Sequence, residues 1–410
     1  MVICALKRTA TLIMRVFTML VNRVLSITVA GLVAVVIGFT SSVALIYQTV
    51  ISLGGDTALA SSWVLTLGLS MGITSIALSF YYRIPILIAW STPGAALLIA
   101  SAQSFTINEA IAGFMFSSIL VFLSGITGWF EKLVDKIPFQ LASAMLAGIL
   151  LNFGINVFNQ MNTEPLLVIV MFITYLVTKQ LTPKFSILIV LIVSPVVAWQ
   201  FKLVTVGEYS WQLSEFKYIS PEFNMVAIVS VGIPLFIVTM AAQNLPGIAV
   251  LKAHNYKAPV SSILSVTGFV NLLAAPFGGY SINLAAITAA ICMTDSVDEN
   301  PNKRYWAAIS GGVFYLLMAI FAGYLMAVFS TLPNALIYSL AGIALITTIT
   351  NSIRQAVVDS KLSEASIITL LVTASNLSLW GISSVLWGLI AGSMMIFLQS
   401  VFSQKLKTLP

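Results

Sequence analysis

Apolar runs long enough to cross a bilayer follow one another along almost the whole chain, separated by short breaks that hold most of the charges. A spanning helix needs about 20 apolar residues. In lipid every backbone N–H and C=O must be satisfied within the protein, which leaves helices or closed barrels. Taken between charged or turn-rich breaks, the runs number fourteen: 24–50, 59–80, 86–103, 109–129, 138–156, 164–180, 184–201, 224–244, 259–272, 281–294, 304–328, 334–352, 363–380 and 384–402. The third, ninth and tenth are short or broken by Pro and Gly. Charged residues make up 8% of the chain, against about 25% in a soluble domain. The expected class is an all-α integral membrane protein with about 14 transmembrane helices in the lipid bilayer.

Lys and Arg test that count, because they concentrate in cytoplasmic loops. With the N-terminus inside, the loops on that side hold Lys7, Arg8, Arg15 and Arg23; Arg83; Lys132 and Lys136; Lys179 and Lys184; Lys252 and Lys257; Lys303 and Arg304; Arg354 and Lys361; and Lys405 and Lys407. That is 17 of 19. Lys202 and Lys217 fall outside, around one long external loop. A wrong count would scramble this alternation, so both termini are expected in the cytoplasm. The net charge of +6 does not signal nucleic acid, since the basic residues are scattered singly. Residues 1–23 read as a basic amphipathic segment on the inner leaflet, with a misassigned start as the alternative. Arg15 interrupts any signal-peptide core, so retention is expected.

Fourteen spans divide into seven and seven, and an odd number per half inverts the second half relative to the first. Trp90-Ser91-Thr92-Pro93-Gly94-Ala95-Ala96-Leu97 is echoed by Tyr280-Ser281-Ile282-Asn283-Leu284-Ala285-Ala286-Ile287, 190 positions on. Ile137-Pro138 leading to Leu146-Ala147-Gly148-Ile149 is echoed by Leu332-Pro333 leading to Leu340-Ala341-Gly342-Ile343, at 195 for the first pair and 194 for the four residues after it. Chance is the alternative, because these residue types are common here. The resulting organisation is 24–202 as the first repeat, 203–223 as an external linker, 224–402 as the second repeat and 403–410 as a cytoplasmic tail.

The first echo marks spans three and ten as half-helices that begin inside the bilayer. Ser or Thr is a good N-cap and Pro93 falls where a first-turn Pro is tolerated. Such a helix start leaves N–H groups unpaired at the positive end of its dipole, which suits an anion. Two such starts, at Ser91, Thr92 and Gly94 and at Ser281 and Asn283, are expected to face one another around one ligand. Trp90 and Tyr280 precede them and suit a planar apolar ligand body; packing is the alternative. Gln243 and Asn244 end the eighth span and either line the same pocket or make interhelical hydrogen bonds. Ser41 and Ser42 on the first span either join them or bond back to their own helix.

Catalysis is not expected. His254 lies in a loop, Cys4 and Cys292 are too few for a disulfide framework or metal site, and neither G-x-S-x-G nor a Walker A sequence is present. No cofactor or metal is implied. All thirteen carboxylates fall in loops or at span ends; Glu109, at the start of the fourth span, is the candidate among them for carrying a proton.

Ala89 to Leu98, Val238 to Gly247 and Ala285 to Cys292 resemble the benzoate–proton symporter family, BenE, and the similarity runs over most of 24–402. The resemblance implies an inner-membrane carrier of benzoate or a related small aromatic carboxylate together with a proton. It also implies the inverted-repeat fold of uracil permease and sulfate-type anion transporters, with a core (24–129 plus 224–328) and a gate (136–202 plus 334–402). Nucleobase carriers of that fold place a carboxylate on the eighth span, where this chain has neutral Gln243 and Asn244. A nucleobase carrier and a passive anion channel are the other readings. Assembly as a homodimer is compatible with the sequence.

Overall fold

The computed structural model describes residues 23–128, 130, 139–204, 213–377, 379–380 and 382–407. The expected amphipathic segment, apart from Arg23, lies outside the described residues, as do Lys132, Lys136, Glu208 and Trp211.

The first apolar run is two helices, α1 (23–40) and α2 (Val43–Ser52), broken at Ser41–Ser42. Both hydroxyls donate to Gly38 O at 2.9 Å. Short hydroxyl side chains compete for backbone groups in this way and bend helices. α3 (Thr57–Tyr82) starts on Asp56, which accepts from Leu59 N–H, and ends on Arg83 in the left-handed region. A strand β1 (Ile88–Trp90), α4 (Thr92–Ser101) and α5 (Ile107–Thr127) follow. Next come α6 (Phe139–Asn159), α7 (Pro165–Leu181) and α8 (Ser186–Gln200). The second half contains α9 (Met225–Ala253), α10 (Val260–Ala274), β2 (Ile282–Leu284), α11 (Ile287–Ile291), α12 (Tyr305–Ile320), α13 (Ala322–Thr331), α14 (Asn334–Ala356), α15 (Ser363–Ala374) and α16 (Ser384–Lys407).

Eight of the described helical stretches are long and apolar enough to cross a membrane, and α12 with α13, bent by 61°, makes a ninth. The chain is therefore an all-α membrane protein, with two three-residue strands among the described residues. α4, α7, α8 and α15 are shorter apolar helices of 10–17 residues.

Small residues set the packing. α3 lies against α12 and α5 against α10. A Cβ on Gly72 would stand 2.8 Å from Gly312 O, and one on Gly268 would stand 2.4 Å from Phe122 N. The backbones approach as closely as small residues allow. In a second group, α6 packs on α14 and α15, α15 on α16, and α7 on α8. Gly148 and Gly342, from the second sequence echo, sit at these crossings: a Cβ would meet Leu370 O at 2.7 Å and Phe153 O at 2.4 Å.

α9 runs through two wide π-helical stretches, Ile228–Gly232 and Thr239–Asn244. Each is followed within two residues by Pro234 or Pro246. A proline lacks an N–H and its ring crowds the carbonyl four residues back, and a wider turn accommodates both.

Residues 213–224 are extended and tied to α3, to the start of α5 and to the turn before β2. Lys217 N–H donates to Ser62 Oγ (2.8 Å), Ile219 N–H to Pro276 O (2.7 Å) and Glu222 N–H to Asn108 O (3.0 Å).

Candidate functional site

β1 and β2 pair antiparallel, Ile88 with Leu284, Ala89 with Asn283 and Trp90 with Ile282. Each runs into a short helix, α4 after β1 and α11 after β2. Ser91 N–H donates to Ser281 O and Ala285 N–H to Leu87 O, both at 3.0 Å. These two bonds are mates under a local two-fold that carries each residue to the one 194 positions on, as the pair Ala89–Asn283 requires.

A two-stranded ribbon leaves its outer edges unpaired, and buried backbone groups need partners. Neighbouring helices supply them with side chains. Asn271 on α10 acts as a third strand: its Oδ1 accepts from Ile282 N–H (2.8 Å) and its Nδ2 donates to Ile282 O (3.0 Å). Asn244 Oδ1 accepts from Leu284 N–H at 3.0 Å. On the β1 side Ser75 Oγ accepts from Ile88 N–H (2.9 Å), and Ser79 Oγ bonds both polar groups of Ile86. Asn271, Ser75 and Ser79 did not stand out in the sequence. The available signal was a lone Asn inside a short apolar run, and serines one turn apart at the end of another.

The first half-helix matches its sequence expectation. Ser91 is the N-cap of α4 and its Oγ accepts from Gly94 N–H at 3.0 Å. A Cβ on Gly94 would stand 2.8 Å from Ser91 Oγ and 2.9 Å from Leu235 Cδ1, so this turn also needs a glycine. Pro93 has no N–H and Gly94 N–H is capped by Ser91, so Thr92 carries the other amide of that turn.

The second half-helix corrects its expectation. Ser281 does not begin it; Ser281 precedes β2, and α11 starts at Ile287 with Ala286 at the cap position. Strand pairing uses Ile282–Leu284 first and moves the helix start downstream. The echo at 190 is thus four residues out of step with the paired backbones, while Leu146-Ala147-Gly148-Ile149 and its echo at 194 are in step.

Several expected ligand residues are instead bound to protein. Ser281 Oγ and Thr239 Oγ1 share a hydrogen bond of 2.9 Å. Tyr280 donates to Ser91 O (3.1 Å) and its ring packs in a cluster with Trp63 and Phe114. Trp90 Nε1 donates to Ser42 Oγ (2.7 Å), and its ring lies 5.5 Å from that of Phe39. Asn244 holds β2, as above. Thr92 and Gln243 are half-buried.

Asn283 stands apart. It is fully buried, and neither Oδ1 nor Nδ2 has a hydrogen-bond partner. Its neighbour across the ribbon is Ala89, whose methyl group offers none.

Glu109 is not part of this assembly. Its Oε2 accepts from Thr106 N–H (2.8 Å) in the capping box of α5, and its Oε1 accepts from Asn224 Nδ2 (2.6 Å) at the start of α9.

The comparisons agree with one another. The family model described as benzoate membrane transport protein, BenE, matches residues 22–398. Inner membrane protein YdcO of Escherichia coli (strain K12) is 43% identical over 363 residues, 88% of this chain and 93% of that protein. Benzoate membrane transport protein of Acinetobacter baylyi is 36% identical over 376 residues, 91% of this chain and 95% of that protein. Among solved structures, the transmembrane domain of a cyanobacterial bicarbonate transporter, BicA, superposes with a TM-score of 0.60 at 15% identity, covering 90% of this chain and 97% of that one. The murine anion transporter Slc26a9 in its inward-facing state gives a TM-score of 0.59 at 13% identity, covering 92% and 68%. At such identities these two speak for the fold alone. The chain is a multi-pass membrane transporter, not an enzyme, and it belongs to the BenE family of benzoate membrane transport proteins.

Proposed function

We propose that this chain is a secondary active transporter that takes up benzoate or a related small aromatic carboxylate together with a proton. It works in the inner membrane with both termini in the cytoplasm, on fourteen spans arranged as two inverted repeats of seven. The local two-fold at Ala89–Asn283 supports the inversion. So does the packing: α3 on α12 and α5 on α10 are the same contact with the halves exchanged. The core (24–129 plus 224–328) carries the substrate, and moves against the gate (136–202 plus 334–402). The Acinetobacter relative is named for benzoate transport and the Escherichia coli relative for the inner membrane.

The observation that carries the substrate reading is the unbonded amide of Asn283 between the two half-helices. A buried polar group without a partner costs about 1–3 kcal/mol. A ligand carboxylate accepting from Nδ2 removes that cost. The Thr92 amide and the Gln243 side chain add donors, and Ser91 and Gly94 hold the turn that presents Thr92.

The substrate itself carries the proton. A benzoic acid group titrates roughly where Glu does, near pH 4 in water, and desolvation raises a carboxyl pKa. Among the described residues the charged member of the buried polar set is Arg304, which is bound to Asp295 and to the carbonyls of Asp298 and Met293. A carboxylate held by dipoles alone gains from neutralisation.

The test is uptake of labelled benzoate into proteoliposomes with and without an imposed inward proton gradient. Accumulation above equilibrium only with the gradient is the expected result. Uptake that merely equilibrates means a channel, and saturable uracil uptake without benzoate uptake means a nucleobase carrier.

A further inference from the structure

At the end of the molecule opposite the linker, a cavity of about 790 Å³ opens between the start of α1 and the start of α12. It is lined by Arg23, Arg83 and Lys303, by Asn300 and Asn302, and by apolar residues that include Val24, Ile27 and Trp306. Every lining residue belongs to the α1–α5 or α9–α13 elements and the turns between them, and none to α6–α8 or α14–α16. The cavity is therefore not the path between core and gate.

We propose that this cavity binds the phosphodiester headgroup of an anionic glycerophospholipid, with an acyl chain lying along the apolar wall. Three observations carry this. First, positive charge exceeds negative. Asp298 pairs with Arg23, Asp295 pairs with Arg304 beside the cavity, and Glu299 is exposed on the adjoining turn. Arg83 has no carboxylate, and Lys303 has no side-chain partner among the described residues.

Second, Arg83 is already positioned. Its guanidinium sits 4.9 Å from the centre of the Phe80 ring and 5.2 Å from that of Tyr305, and it donates to the Tyr305 hydroxyl. One donor is used; the remaining N–H groups of the fork suit phosphate oxygens. Third, part of the lining is apolar and exposed. Val24 is 61% exposed and Trp306 43% exposed at the start of helices that the chain sends into lipid. A soluble phosphate needs no such wall, whereas a lipid does. Basic pockets between spans at the cytoplasmic surface suit anionic headgroups for this reason.

The test is native mass spectrometry of the detergent-purified full chain with phosphatidylglycerol or phosphatidylcholine, and competition by glycerol 3-phosphate. The wild-type protein is expected to retain phosphatidylglycerol preferentially. Arg83→Gln with Lys303→Gln is expected to lower that preference by roughly fivefold for each cation removed. Arg354→Gln with Lys361→Gln, also cations of predicted cytoplasmic loops, is expected to leave it unchanged. Thermal unfolding of each variant in detergent checks the fold. An unaltered preference in the first pair, an equal fall in the control pair, or displacement of the lipid by glycerol 3-phosphate overturns the proposal.

Discussion

Ala89 and Asn283 face each other across the two-stranded ribbon, and the local two-fold passes between them. Equivalent positions in the two half-sites thus carry a methyl group and a carboxamide. One half-site is closed by a small apolar residue, and the other presents an amide to it without a bond. A pair of identical half-sites would bind a ligand along the axis. Under the proposed function, this pair suits a ligand with one polar end.

Asn283→Leu is expected to raise the KM for benzoate uptake while thermal stability holds or rises. The native amide makes no hydrogen bond, and replacing an unbonded buried polar group with an apolar one of similar size is neutral or stabilising. A hydrogen bond to a charged group contributes about 1.5–3 kcal/mol, so benzoate affinity should fall roughly 10- to 150-fold. A melting temperature that falls sharply with affinity unchanged would show that Asn283 is structural.

Asn271→Leu is expected to do the reverse to stability. Its side chain makes two bonds to Ile282, and both backbone groups would be left buried and unpaired. The cost is on the order of 2–5 kcal/mol, read as a large drop in melting temperature and in the yield of folded protein. A melting temperature within a degree of wild type would show that water replaces the bonds.

Gly278→Ala should be among the most damaging single substitutions near the site. Gly278 has φ +90°, and an added Cβ would lie 2.0 Å from Trp63 Cδ1. Trp63 packs on Tyr280, which donates to Ser91 O. Displacing the indole therefore shifts the strand pair as well. Loss of folded protein, by size-exclusion profile after mild detergent extraction, is the expected outcome; a normal profile with normal uptake would mean the ring moves freely.

The membrane class, most segment boundaries and the cap at Ser91 were legible in the sequence, because each depends on local signals: apolar length, charged breaks, and a Ser-x-Pro-Gly start; α9 nevertheless runs nine residues past the expected end at 244, and α15 stops six short of 380. The second half-site was not. Its start is set by pairing of Ile282–Leu284 with residues about 190 positions away, and no local pattern around Ser281 reports that. The roles of Asn244 and Tyr280 were hidden for the same reason. A polar residue on an apolar helix reads alike whether it bonds a ligand or the edge of a distant strand. The break at Ser41–Ser42 was visible only as three adjacent hydroxyl residues, Thr40 to Ser42, in a run long enough for one continuous helix.

Glu109→Gln separates the two accounts of the proton. If Glu109 relayed it, the substitution would remove the titrating group, and uptake would lose its dependence on the proton gradient. The structure commits this carboxylate to Thr106 and Asn224 at the start of α5. Glutamine at the same position keeps an acceptor for the Thr106 amide, so the capping box survives the change. The expected result is gradient-driven benzoate accumulation equal to wild type, with a melting temperature lowered by a few degrees at most. The pH dependence of uptake should instead follow the substrate. Aromatic acids of successively lower pKa should need a more acidic exterior for the same initial rate, in wild type and Glu109→Gln alike. A shift of that profile in the variant would return the proton to Glu109.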